Sequence, residues 1–112
     1  MIKYIDHHIH TCNSLLDGLM KIDEYVNFGV ENNFPALFIS DHGNMDGSIQ
    51  FYISCKEKGI KPIIGSEFYV SESILDKENE DTKRNYHLCL YAKNFQGYKN
   101  LVKLTTWANL NN

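Results

Sequence analysis

The distribution of apolar and polar positions along the chain predicts a series of strands. Residues 2–10 begin with alternating apolar and polar side chains, which is the period of a strand. Residues 36–40 form a nearly continuous apolar run, typical of a strand that is buried on both faces of a parallel sheet. Further strands are predicted over residues 61–70, which are rich in Ile, Phe, Tyr and Val, and over residues 86–92.

Helices are predicted between these strands. Apolar residues at helical spacing indicate one helix over residues 21–33, which the Asn32–Asn33 pair ends, and another over residues 45–58. A last helix is predicted after Asn94, whose side chain suits an N-cap. Residues 71–85 are mostly charged, so we expect an exposed polar loop there.

The order of these elements predicts an α/β fold of mostly parallel strands joined by crossover helices. A complete α/β barrel needs about 250 residues, so a chain of 112 residues is expected to hold roughly half of one. Residues 1–112 are therefore interpreted as a partial domain. Its open sheet edges would be covered by the remainder of a larger domain or by a second copy of the chain.

Composition excludes several classes of protein. The net charge is −3, from 11 basic and 14 acidic residues, which does not fit a free-standing electrostatic DNA binder. No apolar run approaches the roughly 20 residues that span a bilayer, and no signal peptide follows Met1, so a cytoplasmic location is expected. The three cysteines Cys12, Cys55 and Cys89 form no CxxC pair, which argues against a disulfide framework and fits a reducing compartment.

The first candidate ligands lie in the first predicted strand. Side chains two apart in a strand share a face, so Asp6, His8 and His10 are expected to point the same way. Two imidazoles at this spacing can converge on one metal ion or on neighbouring ions. A polar strand end with incidental histidines is the structural alternative.

Two further segments carry candidate ligands near predicted strand ends. Asp41 and His42 follow the strand at residues 36–40, where parallel α/β folds place ligands, and Asp41 could fix the tautomer of His42 or of a neighbouring ligand. A helix N-cap turn would use the same residue types. Glu67 lies inside a strand, where an unpaired carboxylate is costly to bury. Either a metal ion or a salt bridge to a lysine would remove that cost.

Asp17 and His87 are weaker candidates when judged from position alone. A turn role accounts for Asp17, which precedes Gly18. His87 lies near the start of the predicted strand 86–92. The start of a strand is the wrong end for a site at the carboxyl ends of parallel strands. Taken together, the mixed imidazole and carboxylate ligands suit Zn, Mn or Fe better than Ca or Mg. With two or three such ions, the chemistry expected is hydrolysis of a phosphoester by metal-activated water.

Several motifs resemble a known family. The runs are YIDHHIHT at residues 4–11, SLLDG at 14–18, DHGNM at 41–45, GIKPIIGSEFYV at 59–70 and GYKNLVKL at 97–104. In order and spacing they resemble the polymerase and histidinol phosphatase (PHP) domain, more narrowly the one at the N-terminus of bacterial replicative DNA polymerase III alpha subunits. This resemblance implies a distorted (β/α)7 barrel that binds up to three divalent ions.

The resemblance also implies roles for individual residues. His8 and His10 match the first ligand pair of the family, Asp17 the next ligand, and Glu67 the carboxylate that bridges metals. His42 matches the ligand of the second motif, with Asp41 beside it, and His87 matches the following histidine. Asp41 and Glu67 are accordingly the expected catalytic residues, and the resemblance raises His87 above its positional ranking.

The implied function is metal-dependent phosphoesterase chemistry of the 3′–5′ exonuclease type, acting on a DNA 3′ end in DNA replication. The later family ligands, including an Asp-x-His pair, and the polymerase domains do not follow within these residues. The expected partner is the rest of a PHP domain or polymerase chain, in cis or in trans. The alternatives are an inactive PHP module that binds a polymerase or exonuclease partner, and a small PHP-family phosphatase.

Overall fold

The computed structural model describes residues 4–71 and 86–111, which form an α/β arrangement. In chain order the elements are α1 (Ile22–Glu31), β1 (Ala36–Ile39), α2 (Ser48–Glu57), β2 (Lys61–Val70), β3 (Tyr86–Tyr91) and α3 (Phe95–Leu110). The α/β class predicted from the sequence is confirmed. The described residues form one layered unit with an open sheet and not a closed barrel. The predicted polar loop at residues 71–85 lies, apart from Ser71, outside the described residues.

The sheet has the order β1-β2-β3 and is mixed. Strand β1 runs parallel to β2, with Ala36 opposite Lys61. Strand β3 runs antiparallel to β2, with Val70 opposite Tyr86, so the expectation of a parallel strand is wrong here. The first residues of β3 consequently lie beside the carboxyl end of β2.

The strand predicted over residues 2–10 is not formed by residues 4–10. This segment nevertheless lies beside the carboxyl end of β1, because the Ser40 amide donates to the carbonyl of Ile9 at 2.9 Å. The Ile9 amide donates to the Ser40 hydroxyl instead of a backbone carbonyl, so this segment and β1 do not form a continuous ladder of backbone hydrogen bonds. The Asp6 carboxylate also accepts from the His8 amide at 3.1 Å, a local bond that competes with strand pairing.

The hydrophobic core lies between the two first helices and the parallel strand pair. Its buried residues are Ile22, Tyr25, Val26, Leu37, Ile39, Phe51, Cys55 and Ile60. Gly29 of α1 allows close packing, since a Cβ there would lie 2.6 Å from a methyl carbon of Leu37. This core holds the carboxyl ends of β1 and β2 side by side, which positions the site described below.

Helix α3 begins where the sequence predicts. The Asn94 side chain accepts a hydrogen bond from the Gly97 amide at 2.9 Å, as an N-cap does. Large apolar side chains on this helix remain exposed, among them Phe95 and Leu110. Within residues 4–71 and 86–111, no helix has both the length and the apolar character needed to cross a bilayer.

Candidate metal centre

The site is built around the side chain of Glu67, which is 0% exposed. Four histidine nitrogens surround its carboxylate. Oε2 lies 2.9 Å from Nε2 of His8, 3.1 Å from Nε2 of His10 and 3.2 Å from Nδ1 of His42. Oε1 lies 2.7 Å from Nδ1 of His87. The structure therefore brings four of the predicted ligands together around a fifth.

Backbone pairing explains why these residues converge. Beyond the end of β1, the Glu67 amide donates to the Asp41 carbonyl at 3.0 Å and the Gly43 amide donates to the Glu67 carbonyl at 2.8 Å. These bonds extend the parallel pairing by one isolated bridge between His42 and Glu67. His87 arrives from the other side, because the antiparallel direction of β3 places it opposite Tyr69. The positional objection to His87 was wrong for this reason.

The carboxylate of Glu67 fits a divalent ion better than it fits a set of hydrogen bonds. Oε1 is buried and accepts no aligned hydrogen bond from any described residue, although Nδ1 of His87 lies only 2.7 Å away. A buried polar atom without a partner is unfavourable, and each neutral imidazole has only one N–H to donate. Imidazoles gathered around a carboxylate are a donor set that suits Zn²⁺ or Mn²⁺.

A second group of candidate ligands adjoins the first. Oδ2 of Asp17 lies 2.6 Å from Nε2 of His42 and 3.8 Å from Nε2 of His10. The rings of the two histidines stack with their centroids 4.0 Å apart. One ligand atom from each of these three residues lies within 4.8 Å of the others, which is close enough to share an ion. The hydrogen bond from His42 lowers the pKa of Asp17 below its ordinary value.

The local electrostatics favour the protonation states that bind metals. Burial by itself raises the pKa of Glu67, but the hydrogen bond from His8 and the neighbouring histidines outweigh burial, so the pKa lies below its ordinary value. Burial, followed by the charge of His42, lowers the pKa of His10. An ionised carboxylate and a neutral imidazole are the forms that act as ligands near neutral pH.

Asp41 is connected to the histidines of the site through Ser14. Its buried carboxylate accepts hydrogen bonds from the amide of Thr11 at 2.6 Å, the hydroxyl of Thr11 at 2.8 Å and the hydroxyl of Ser14 at 2.7 Å. Ser14 in turn accepts from the His42 amide at 3.1 Å and lies 3.5 Å from Nδ1 of His10. Because Ser14 donates its one proton to Asp41, the Nδ1 of His10 must be the donor in that contact, which leaves its Nε2 free to bind an ion.

Replacing Asp41 with Asn is expected to destabilise the chain by about 3 kcal/mol. The amide nitrogen of Asn would face the donors of Thr11 or Ser14, and the charge that strengthens these bonds would be lost. Urea unfolding measures the effect. Asp46→Asn is the matched control, because Asp46 is exposed and its variant should unfold like the wild type. Equal stability of the two variants would contradict this supporting role.

Three residues of the site were not predicted from the sequence. The hydroxyl of Tyr69 lies 3.1 Å from Nδ1 of His42, whereas the Asp41 carboxylate bonds to Thr11 and Ser14. Ser14 links Asp41 to both histidines of the second group. Cys89 lies opposite Glu67 in the strand pairing. Tyr69 and Cys89 each follow a predicted ligand by two residues in a strand, a spacing that places them on the ligand's face and was available in the sequence.

Comparison with known proteins identifies the family. Residues 6–112 match the PHP domain. The chain is 46% identical to DNA polymerase III subunit alpha of Helicobacter pylori strain 26695 over 103 residues, 92% of this chain and 8% of the relative. The same subunit of Aquifex aeolicus is 45% identical over 112 residues, 94% of this chain and 10% of the relative. The same subunit of Borreliella burgdorferi is 44% identical over 106 residues, which are 93% of this chain and 9% of the relative.

These relatives are much longer than the chain, which spans a tenth or less of their length. The similarity nevertheless extends over nearly all of its own residues and includes every residue of the site around Glu67. The chain therefore belongs to the PHP domain family.

Proposed function

We propose that this chain is the N-terminal part of a PHP domain of a DNA polymerase III alpha-like protein and that it hydrolyses phosphodiester bonds at a DNA 3′ end in a metal-dependent reaction. The observation that carries the proposal is the buried carboxylate of Glu67 with four histidine nitrogens around it. A cytoplasmic location, as expected from the sequence, is part of this proposal.

The residues of the centre divide into holding and orienting roles. The divalent ions would be Zn²⁺ or Mn²⁺, up to three in a complete family site. The residues that would hold them are His8, His10, Asp17, His42, Glu67 and His87. When bound, such ions activate water and neutralise the charge on a phosphate. Ser14 and Tyr69 orient the histidine rings, and Asp41 orients Ser14, so Asp41 is a positioning residue in this proposal.

The exposure of the centre is consistent with a large substrate. The side chains of His8, His87 and Asp17 are 53%, 52% and 55% exposed, whereas Glu67 is buried beneath them. The centre is therefore open on one side. No described lysine or arginine forms an ion pair with it, so the attraction for a phosphate group would come from the bound ions.

A nuclease assay tests the proposal. The purified chain is stripped with a chelator, reloaded with Zn²⁺ or Mn²⁺ and incubated with a 5′-labelled oligonucleotide. Stepwise shortening from the 3′ end is expected only with metal, and a substrate with a 3′ phosphate should be shortened more slowly. Hydrolysis of p-nitrophenyl phosphate alone would instead favour the small phosphatase. A metal-loaded chain that cleaves neither substrate would contradict enzymatic activity of this chain.

The second candidate function is a binding module without catalysis. The observation that favours it is the exposed apolar surface of α3, where Phe95 is 72%, Trp107 50% and Leu110 79% exposed. Such residues are suited to packing against the remainder of a polymerase chain, an exonuclease partner or a second copy. Sedimentation analysis of the metal-loaded chain would show whether it is a homo-oligomer.

Replacing Tyr69 with Phe is expected to weaken metal binding about 10-fold without unfolding the chain. The variant loses the hydroxyl that bonds to Nδ1 of His42, and with it the restraint on the direction in which Nε2 points. Titration with Zn²⁺ against a chromophoric chelator measures the change. Tyr52→Phe on α2 is the matched control, because Tyr52 is similarly exposed and lies outside the centre. Equal affinities of the two variants would contradict the orienting role of Tyr69.

A further inference from the structure

Strand β3 places a thiol in the centre beside the histidine that it contributes. Cys89 is the direct partner of Glu67 in the antiparallel pairing. Side chains of directly paired residues lie on one face of the sheet, with their Cβ atoms about 5 Å apart. Cys89 also follows His87 by two residues, which places both side chains on that face. Its position is therefore set by the same backbone pairing that brings His87 to Glu67.

Three different ligand types meet at this point. The Sγ of Cys89, a ring nitrogen of His8 and a carboxylate oxygen of Glu67 all lie within 4.8 Å of one another. A second feature favours a cation here, because Oε1 of Glu67 is buried and accepts no aligned hydrogen bond from the described residues, although Nδ1 of His87 lies 2.7 Å away. A thiol, an imidazole and a buried carboxylate are thus within reach of one ion.

We propose that Cys89 is a thiolate ligand of an ion that His8 and Glu67 also hold, and that it makes the centre prefer Zn²⁺ to Mn²⁺. The inference rests on the proposed metal centre and adds a sulfur ligand to it. On binding, the thiol releases its proton to solvent and a metal–sulfur bond forms. Thiolates select Zn²⁺ over Mn²⁺, and three protein ligands with an open position are typical of catalytic zinc sites.

Cobalt substitution tests the thiolate directly, because a cobalt–thiolate bond has a charge-transfer absorption that oxygen and nitrogen ligands lack. The stripped wild-type chain, Cys89→Ser and Cys12→Ser are titrated with Co²⁺. Cys12 is exposed, which makes its variant a matched control. We expect the absorption in wild type and in Cys12→Ser, and its loss in Cys89→Ser. In competition titrations, Cys89→Ser should bind Zn²⁺ at least about 10-fold more weakly and Mn²⁺ as well as wild type does.

The outcomes separate this inference from the metal centre itself. Binding of Co²⁺ without the charge-transfer absorption, or persistence of that absorption in Cys89→Ser, would overturn the thiolate ligand alone. A folded wild-type chain that binds no Co²⁺ would overturn the metal centre and the ligand with it. If Cys89→Ser does not fold, alkylation of the wild-type chain tests whether Cys89 is a ligand. Zn²⁺ should then protect Cys89 but not Cys12 from iodoacetamide, as read by mass spectrometry, and equal labelling would overturn the proposal.

Discussion

Replacing His8 and His10 together with alanine is expected to abolish stoichiometric metal uptake while the fold is retained. Both histidines place Nε2 within 3.1 Å of Glu67 Oε2, and neither belongs to the hydrophobic core. Since loss of a residue that merely supports a ligand lowers metal affinity about 10- to 100-fold, loss of two ligands should exceed about 100-fold. Elemental analysis after chelation and addition of Zn²⁺ measures the metal, and circular dichroism measures the fold.

His7→Ala is the control for this double variant. The ring of His7 lies edge-on against Phe38, with centroids 4.7 Å apart, and makes no described contact with Glu67. This variant removes an imidazole from the same segment and should keep its metal. A folded His8→Ala/His10→Ala chain that still holds one ion per chain would show that the ligands have been assigned to the wrong residues.

Replacing Glu67 with Gln is expected to reduce hydrolysis of a 3′-ended oligonucleotide by at least about 100-fold while metal affinity falls less. The amide keeps one oxygen that can contact an ion, but it removes the negative charge and places an NH2 group among the histidine nitrogens. Nuclease rates at saturating Zn²⁺ or Mn²⁺, together with metal affinities, separate the two effects. The exposed Glu57→Gln serves as the matched control.

A different result for Glu67→Gln would assign the residue another role. The histidines around the carboxylate lower its pKa, but a structural acid whose cost of burial exceeded that benefit would be improved by neutralisation. A higher melting temperature in chelator, with unchanged Zn²⁺ affinity, would therefore show that Glu67 is only a buried acid. An unchanged nuclease rate at full metal occupancy would exclude it from the reaction.

Local periodicity predicted most of the secondary structure. The pattern predicts helix 21–33 and the structure has Ile22–Glu31, while strand β2 covers Lys61–Val70 as predicted. These elements follow the pattern because their buried faces are encoded by neighbouring residues. Residues 4–10, the described part of the strand predicted over residues 2–10, form no strand, and a non-local bond contributes to this, since the Ile9 amide donates to the Ser40 side chain across 31 positions.

The sequence predicted the convergence of the histidines on Glu67 but not the contacts of Asp41. Histidines and carboxylates near strand ends indicated metal chemistry, and His8, His10 and His42 do meet at Glu67. Their assignment as metal ligands stays a prediction that the double variant tests. Asp41 was expected to orient a ligand, but its carboxylate reaches the histidines only through Ser14, a connection that no local spacing indicates.

The sequence by itself determined which groups are available, the approximate positions of helices α1, α2 and α3 and of strands β1, β2 and β3, and the family that the motifs resemble. Only the tertiary structure decided that β3 runs antiparallel to β2 and so carries His87 and Cys89 to Glu67. The physical reason is that side-chain periodicity depends on a residue's own strand and specifies the face that it occupies. The partner and direction of that strand depend on backbone hydrogen bonds and packing between residues distant in the chain.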